Sequence, residues 1–185
     1  MREREILTIG HSTHPEERFL ALLDRHRVNA VADVRRYPSS RRLPHFNAAR
    51  LEESLGEAGI AYERLGESLG GRRKPAPDSP NRGWRVGGFQ GYADHMASPE
   101  FIAGLGELER LAEERRTAFM CAEGPWWRCH RQLIADALVV REWSVLHVMP
   151  NGRLEPHRLT PFAVLDGERI TYPPAQGSLG NSGGA

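Results

Sequence analysis

Two hydrophobic patterns alternate along the chain. Short apolar or β-branched runs occur at residues 6–9, 28–32, 60–65, 117–121 and 144–149, with the length and composition of buried strands. Between them the apolar positions follow a helical period. Phe19, Leu22, Leu23 and His26 fall at i, i+3, i+4 and i+7, one buried stripe running through about Arg27. Thr13 and Glu16 have capping-box spacing ahead of that stripe, and Pro15 suits a first turn. Asn47 can cap a second helix carrying Leu51, Leu55 and Ala58, closed by Gly59. A short helix is predicted over residues 89–96. Ser98, Pro99 and Glu100 then start a longer one, with Phe101, Leu105, Leu108 and Ala112 on its buried side to about Arg116. A last helix begins near Cys129 and turns Leu133, Ile134, Ala137 and Leu138 inward.

Strand–helix alternation with crossovers of ordinary length predicts the α/β class: a single domain over residues 1–172, its mostly parallel central sheet flanked by helices. A small β excursion is expected near the C-terminus around Asp166 and Gly167, followed by a disordered tail over residues 173–185. Residues 36–46 and the glycine- and proline-rich stretch 66–91 read as loops, the second partly mobile. Loops of that length in a compact domain are more often functional than idle.

The 185 residues suffice for one sizeable core. Lys+Arg is 25 against Asp+Glu 24, which excludes a globally polycationic nucleic-acid binder and an acidic disordered chain. Lys74 is the sole lysine, so arginine, the better partner for planar anions and phosphate, supplies the rest of the positive charge. That charge is uneven. From Asp33 through Phe89 there are eleven basic and seven acidic residues, a local net of +4. No apolar run approaches the roughly 20 residues that cross a bilayer, and the first apolar run is too short for a signal-peptide core. Two cysteines are too few for a disulfide scaffold. The expectation is a cytoplasmic protein with reduced thiols and no membrane partner.

Parallel α/β sheets bind ligands outside the carboxyl ends of their strands. His11 and Ser12 follow the first strand, Asp33 and Arg35 the second, and Cys121 and Glu123 the fourth, so one edge should gather them. The segment from Cys121 to Arg131 is the richest in chemistry, since the start of a helix there would present free N–H groups to an anion and favour a thiolate. His11, Asp33, Glu123 and His130 are candidates for acid–base work, and Arg35, Arg128 and Arg131 for holding the anion. Cys121 reads as a nucleophile or a pocket wall. The layout loosely resembles cysteine phosphatases and rhodaneses, but six residues rather than five separate Cys121 from Arg128, and no glycine–serine cradle is visible. Cys121, Cys129, His130, His11 and Asp33 are also competent metal ligands, although the cysteines are not spaced as a knuckle. A redox disulfide between Cys121 and Cys129 is a further possibility. Trp126 and Trp127 can stack a base or cover the core.

Taken together, Thr8 to Ser12, Asp33 to Arg35 with Pro38 and Ser39 to Arg41, Leu69 to Gly71, Tyr92 and Ala93, Cys121 to Glu123, and Cys129 to Arg131 resemble domain-of-unknown-function family 488 over about residues 6–150. The resemblance implies a soluble bacterial or archaeal α/β protein and no particular reaction. It marks His11, Ser12, Asp33, Arg35, Cys121, Glu123, Cys129, His130 and Arg131 again, and adds Tyr92 as a pocket residue. The leading expectation is an enzyme without an assigned cofactor, acting on a phosphate-bearing small molecule or nucleic acid at the sheet edge. The alternatives are a non-catalytic nucleotide- or nucleic-acid-binding module and a mononuclear metal protein using Cys and His.

Overall fold

Strand β1 (Glu5–Gly10) leads through helix α1 (Glu16–Arg25) to β2 (Ala30–Asp33), then through α2 (Ala48–Glu57) to β3 (Ala61–Arg64). Three helices follow, α3 (Gly66–Leu69), α4 (Gly87–His95) and α5 (Pro99–Glu114), before β4 (Thr117–Cys121), α6 (Arg131–Val140) and β5 (Ser144–Val148). The computed structural model describes residues 4–175. In it these five strands are parallel in the order β3-β2-β4-β1-β5. A sixth, β6 (Leu154–Pro156), adds antiparallel to β5, and β7 (Val164–Asp166) with β8 (Arg169–Thr171) forms a separate hairpin. The α/β class, the mostly parallel sheet and the C-terminal β excursion are those the patterning predicts.

Alternation along the strands fills two cores, because successive side chains leave a sheet on opposite faces. Ile6, Ala32, Phe119, Cys121 and Val145 turn towards Tyr92, Phe101, Leu105, Leu133 and Leu138 of α4, α5 and α6. Leu7, Ile9, Val31, Ala118 and Met120 turn towards Phe19, Leu22 and Leu23 of α1 and Leu51 and Leu55 of α2. The sheet is therefore covered on both faces, as a parallel sheet requires.

Several local expectations are revised. The Thr13–Glu16 capping box does not form, because α1 begins only at Glu16, with Pro15 in the cap position and no side-chain cap. Glu16 instead accepts the Ser54 hydroxyl and pairs with Arg50 at 3.6 Å, tying α1 to α2. The helix also stops short of Arg27, whose φ is 55°. Asn47 occupies the cap position of α2 without capping it, since its Oδ1 accepts the Ser40 N–H at 2.5 Å. The Ser98 cap forms as expected, accepting from the Phe101 N–H at 3.1 Å.

The largest revision concerns residues 66–91. They hold α3 and the first half of α4, and the loop between is tied down by side-chain hydrogen bonds. Asp94 on α4 accepts from the Ala76 N–H at 2.8 Å, the Ser79 hydroxyl at 2.6 Å and the Asn81 amide at 2.7 Å. The far end is clasped by Tyr172, whose N–H donates to Asn81 Oδ1 and whose carbonyl accepts the Gly83 N–H, both at 2.8 Å. Of the expected tail, residues 173–175 carry no regular structure, and 176–185 lie outside the described residues. No helix among the described residues is long and apolar enough to cross a membrane.

Candidate functional site

The strand order brings three carboxyl ends side by side, because β4 is inserted between β1 and β2. Gly10 is in register with Cys121, and Asp33 with Met120. The pairing continues past the strands: the His11 N–H donates to the Cys121 carbonyl and the Ser12 N–H to the Ala122 carbonyl, both at 2.9 Å. A cleft of about 310 Å³ opens at this edge.

Behind the cleft, Asp33 and Arg35 form a buried ion pair. Asp33 accepts from Arg35 Nε at 2.9 Å and Nη2 at 2.5 Å, from the Arg35 backbone N–H at 3.0 Å, and from the Tyr62 hydroxyl at 2.6 Å. Arg35 Nη1 donates to the Phe46 carbonyl at 2.7 Å and meets His11 Nε2 at 3.2 Å. His11 Nδ1 lies 2.9 Å from the Ser12 carbonyl, so it carries the proton and leaves Nε2 to accept from Arg35. Burial, and then the Arg35 charge, lower the His11 pKa to about 4. The ring stacks on Phe46 at 4.0 Å. Burial and the Asp33 charge also push the Tyr62 hydroxyl well above its ordinary value. Every member of this cluster is satisfied by another.

Arg131 is likewise committed inward. It is 1% exposed and donates to Thr8 Oγ1 at 3.0 Å, to the carbonyls of Glu123 at 2.6 Å and Gly124 at 3.1 Å, and to Cys129 Sγ at 3.5 Å. Gly10 makes this possible: a Cβ there would lie 1.9 Å from the Glu123 carbonyl oxygen and 2.8 Å from Arg131 Nη2.

The floor of the cleft is made by two thiols and an imidazole. His130 Nδ1 stands 3.9 Å from Cys121 Sγ and 3.7 Å from Cys129 Sγ, and the three donor atoms lie within 4.8 Å of one another. Both cysteines are free and buried. Burial opposes charge on Cys129, but the neighbouring Cys121 thiol and the Arg131 guanidinium outweigh it and hold its thiol well below the ordinary value. The Cys129 neighbour, with burial, pushes Cys121 well up. Tyr92 is behind this group rather than in the cleft: its ring is 5.1 Å from that of His130 and its hydroxyl donates to the Leu69 carbonyl at 2.7 Å.

The walls are basic and aromatic. Arg36, Arg72, Arg128, Glu123, Tyr37 and Phe89 line the opening. Arg36 and Arg72 lie 5.8 and 5.7 Å from the centre of the Tyr37 ring, which is 62% exposed. Among the described residues none of these three arginines pairs with a carboxylate. Arg72 is held at φ 60°, a backbone conformation that costs a non-glycine residue about 1 kcal/mol or more.

On the other side of Arg131 lies a second buried chain of polar groups. Asp136 accepts from His157 Nε2 at 2.9 Å, the Thr160 N–H at 2.9 Å and the Tyr172 hydroxyl at 2.8 Å. His157 Nδ1 meets His147 Nε2 at 3.0 Å, and the His147 ring stacks flat on Trp126 at 4.1 Å. Trp126 thus covers a buried histidine, whereas Trp127 is 49% exposed.

Of the residues marked from the sequence, Cys121, Glu123, Arg128, Cys129, His130 and Arg35 line the cleft, Arg35 with its guanidinium already engaged. His11, Ser12, Asp33, Arg131 and Tyr92 stand behind the lining. The leading sequence reading does not include Arg36, Tyr37, Gly71, Arg72 or Phe89 among its site residues, although Gly71 falls in a motif of the family resemblance and Arg72 among the arginines of the binding-module alternative. The local excess of arginine was the available signal for two of them, but it pointed equally to Arg41 and Arg42, which are not in the lining, and to Arg73, which is spent on the carbonyls of Glu67 and Gly70.

These features define an α/β protein with a basic cleft at the carboxyl edge of its sheet and a Cys–Cys–His floor. Residues 16–138 match the family model described as domain of unknown function DUF488, and the chain belongs to that family. No curated protein and no solved structure matched the chain.

Proposed function

We propose that the chain is an enzyme acting on a phosphate-bearing small molecule, of nucleotide size, in this cleft. One observation carries the reading: three arginines with no carboxylate partner among the described residues converge over a floor of two thiols and an imidazole. Guanidinium forks suit phosphate oxygens, and a volume of about 310 Å³ is at the lower end of what small-molecule sites offer. Tyr37 and Phe89 supply faces for a planar ring. Glu123 is the carboxylate that lines the cleft and is the candidate for proton transfer there, while Cys121, Cys129 and His130 hold the reacting end. Asp33 and His11, engaged with Arg35, support the edge rather than the reaction. Reduced thiols on the floor fit a cytoplasmic setting.

The test is calorimetric titration with ADP, pyrophosphate and a short single-stranded oligonucleotide, followed by turnover assays on whichever binds. Expected is binding of at least one phosphate compound that weakens roughly tenfold in Arg72→Gln and Arg128→Gln, falls as salt rises, and is accompanied by turnover lost in Glu123→Gln. Binding without turnover would leave the non-catalytic module in its place. If none of the three ligands binds, the reading is overturned.

A further inference from the structure

We infer that Cys121, Cys129 and His130 form a mononuclear zinc site on the floor of the cleft, with the fourth coordination position facing the ligand space. This deepens the reading of the cleft as an active site, and rests on it only for the use to which the metal would be put.

The donor set is the first argument. Two thiolates and one imidazole are ligands zinc accepts, and three protein ligands with one position left open is the composition of catalytic rather than structural zinc sites. The geometry agrees. Zn–S bonds of about 2.3 Å and Zn–N bonds of about 2.0–2.1 Å at tetrahedral angles place sulfur and nitrogen roughly 3.6 Å apart. The two S···N separations here are 3.7 and 3.9 Å, so between each sulfur and the imidazole only a small closing movement is needed.

His130 is also set up as metal-ligating histidines are. Its Nε2 lies 3.0 Å from the Val34 carbonyl, to which it must donate, leaving the lone pair on Nδ1 facing both sulfurs. Space is kept open on that side: a Cβ at Gly71 would fall 2.9 Å from Nδ1 and 3.3 Å from Cγ of the ring. The Arg131 Nε–H, 3.5 Å from Cys129 Sγ, supplies a second-layer hydrogen bond to a thiolate. Zinc with two thiolates and a neutral imidazole has no net charge, so the buried site would not carry an uncompensated ion. Cys121, Cys129 and His130 all border the cleft, which puts the open position where a bound phosphate compound or water can reach it. Bound zinc would supply Lewis acidity and an acidified water.

The test uses the full chain, purified under reductant, stripped of metal and equilibrated with Zn²⁺ or Co²⁺ alone. One zinc per chain should survive dialysis, and the cobalt form should show thiolate-to-metal charge-transfer absorption with the intense visible bands of a tetrahedral ion. Cys121→Ser, Cys129→Ser and His130→Gln should each weaken zinc binding roughly tenfold or more, with far-ultraviolet circular dichroism unchanged. Should Cys129→Ser fail to fold, the wild-type cobalt spectrum and the Cys121→Ser variant decide the matter. A folded, reduced wild-type protein without thiolate–cobalt absorption overturns the site, as does zinc retention unchanged in both Cys121→Ser and His130→Gln. Zinc is measured with no phosphate compound present, and phosphate-compound binding on the metal-free protein, so either proposal can fail while the other stands.

Discussion

The Nε2 of His130 lies 3.0 Å from the backbone carbonyl of Val34, and that single bond decides which ring nitrogen is bare. A neutral imidazole donates from one nitrogen and accepts at the other, so Nδ1 is the acceptor and faces the thiols. Long-range proton–nitrogen NMR on ring-labelled protein should show His130 as the Nε2–H tautomer. A signature of the opposite tautomer would remove the lone pair from the floor of the cleft.

Gly71→Ala places a methyl group 2.9 Å from His130 Nδ1. The ring must shift, so zinc affinity should fall roughly tenfold while stability drops by about 1–3 kcal/mol, the usual range for overpacking. Affinity and urea denaturation on the same sample check both halves. Full zinc affinity in a folded variant would show that the space beside Gly71 is not needed.

Arg72 sits at φ 60° on the rim of the cleft. Arg72→Gly removes the backbone strain but adds freedom to the unfolded chain, so the net stability change should be small or favourable, within about 1 kcal/mol. Arg72→Ala keeps the strain and should gain nothing. Both should bind phosphate compounds more weakly. Thermal unfolding beside calorimetric titration separates the two effects.

Asp33→Asn leaves Arg35 buried without its counter-charge. A loss of about 3–5 kcal/mol is expected from breaking one side of a buried pair. Tyr62→Phe, which removes a 2.6 Å hydrogen bond to Asp33, should cost about 1 kcal/mol. Urea unfolding measures both. An Asp33→Asn protein of native stability but without turnover would return Asp33 to the reaction.

Acid should unfold the protein partly through His11. Its pKa is lowered from 6.5 to about 4 in the fold, so below pH 6.5 the unfolded chain binds the proton first. The stability from keeping His11 neutral is complete above pH 6.5 and is lost as the pH falls towards 4, amounting to about 3 kcal/mol. His147, lowered by burial and then by His157 to about 3, should add a loss of the same sign. Stability measured from pH 7.5 to 4 should show a shallower slope in His11→Gln than in wild type. Parallel curves would mean that His11 does not stay neutral in the fold.

The elements were legible where apolar spacing alone determines them. Ile6 and Phe119 fill one face and Leu7 and Ala118 the other, and period-2 and period-3.6 patterns read out directly. The convergence of His11, Asp33 and Cys121 was legible too, since each follows a strand of one parallel sheet. How the edge is held together was not, because His11, Arg35, His130 and Arg131 are fixed in part by backbone carbonyls. Phe46, Val34, Glu123, Gly124 and Ser12 contribute carbonyl oxygens, which any residue could supply and which leave no mark in the sequence. Arg131 and Arg72 are the same residue type, yet one is spent inside and the other stands free at the rim. Tertiary placement separates them, and chain order does not reveal that β4 lies between β1 and β2.

Tyr172 closes a loop that begins a hundred residues earlier in the chain, taking Asn81 and Gly83 with its backbone while its hydroxyl reaches Asp136. The floor of the cleft needs only the chain through His130, but its Arg72 and Phe89 wall is fastened by one of the last described residues. Tyr172 therefore couples that wall to the floor, because Asp136 lies on α6, the helix that begins beside His130. One aromatic residue thus makes the two sides of the cleft a single mechanical unit.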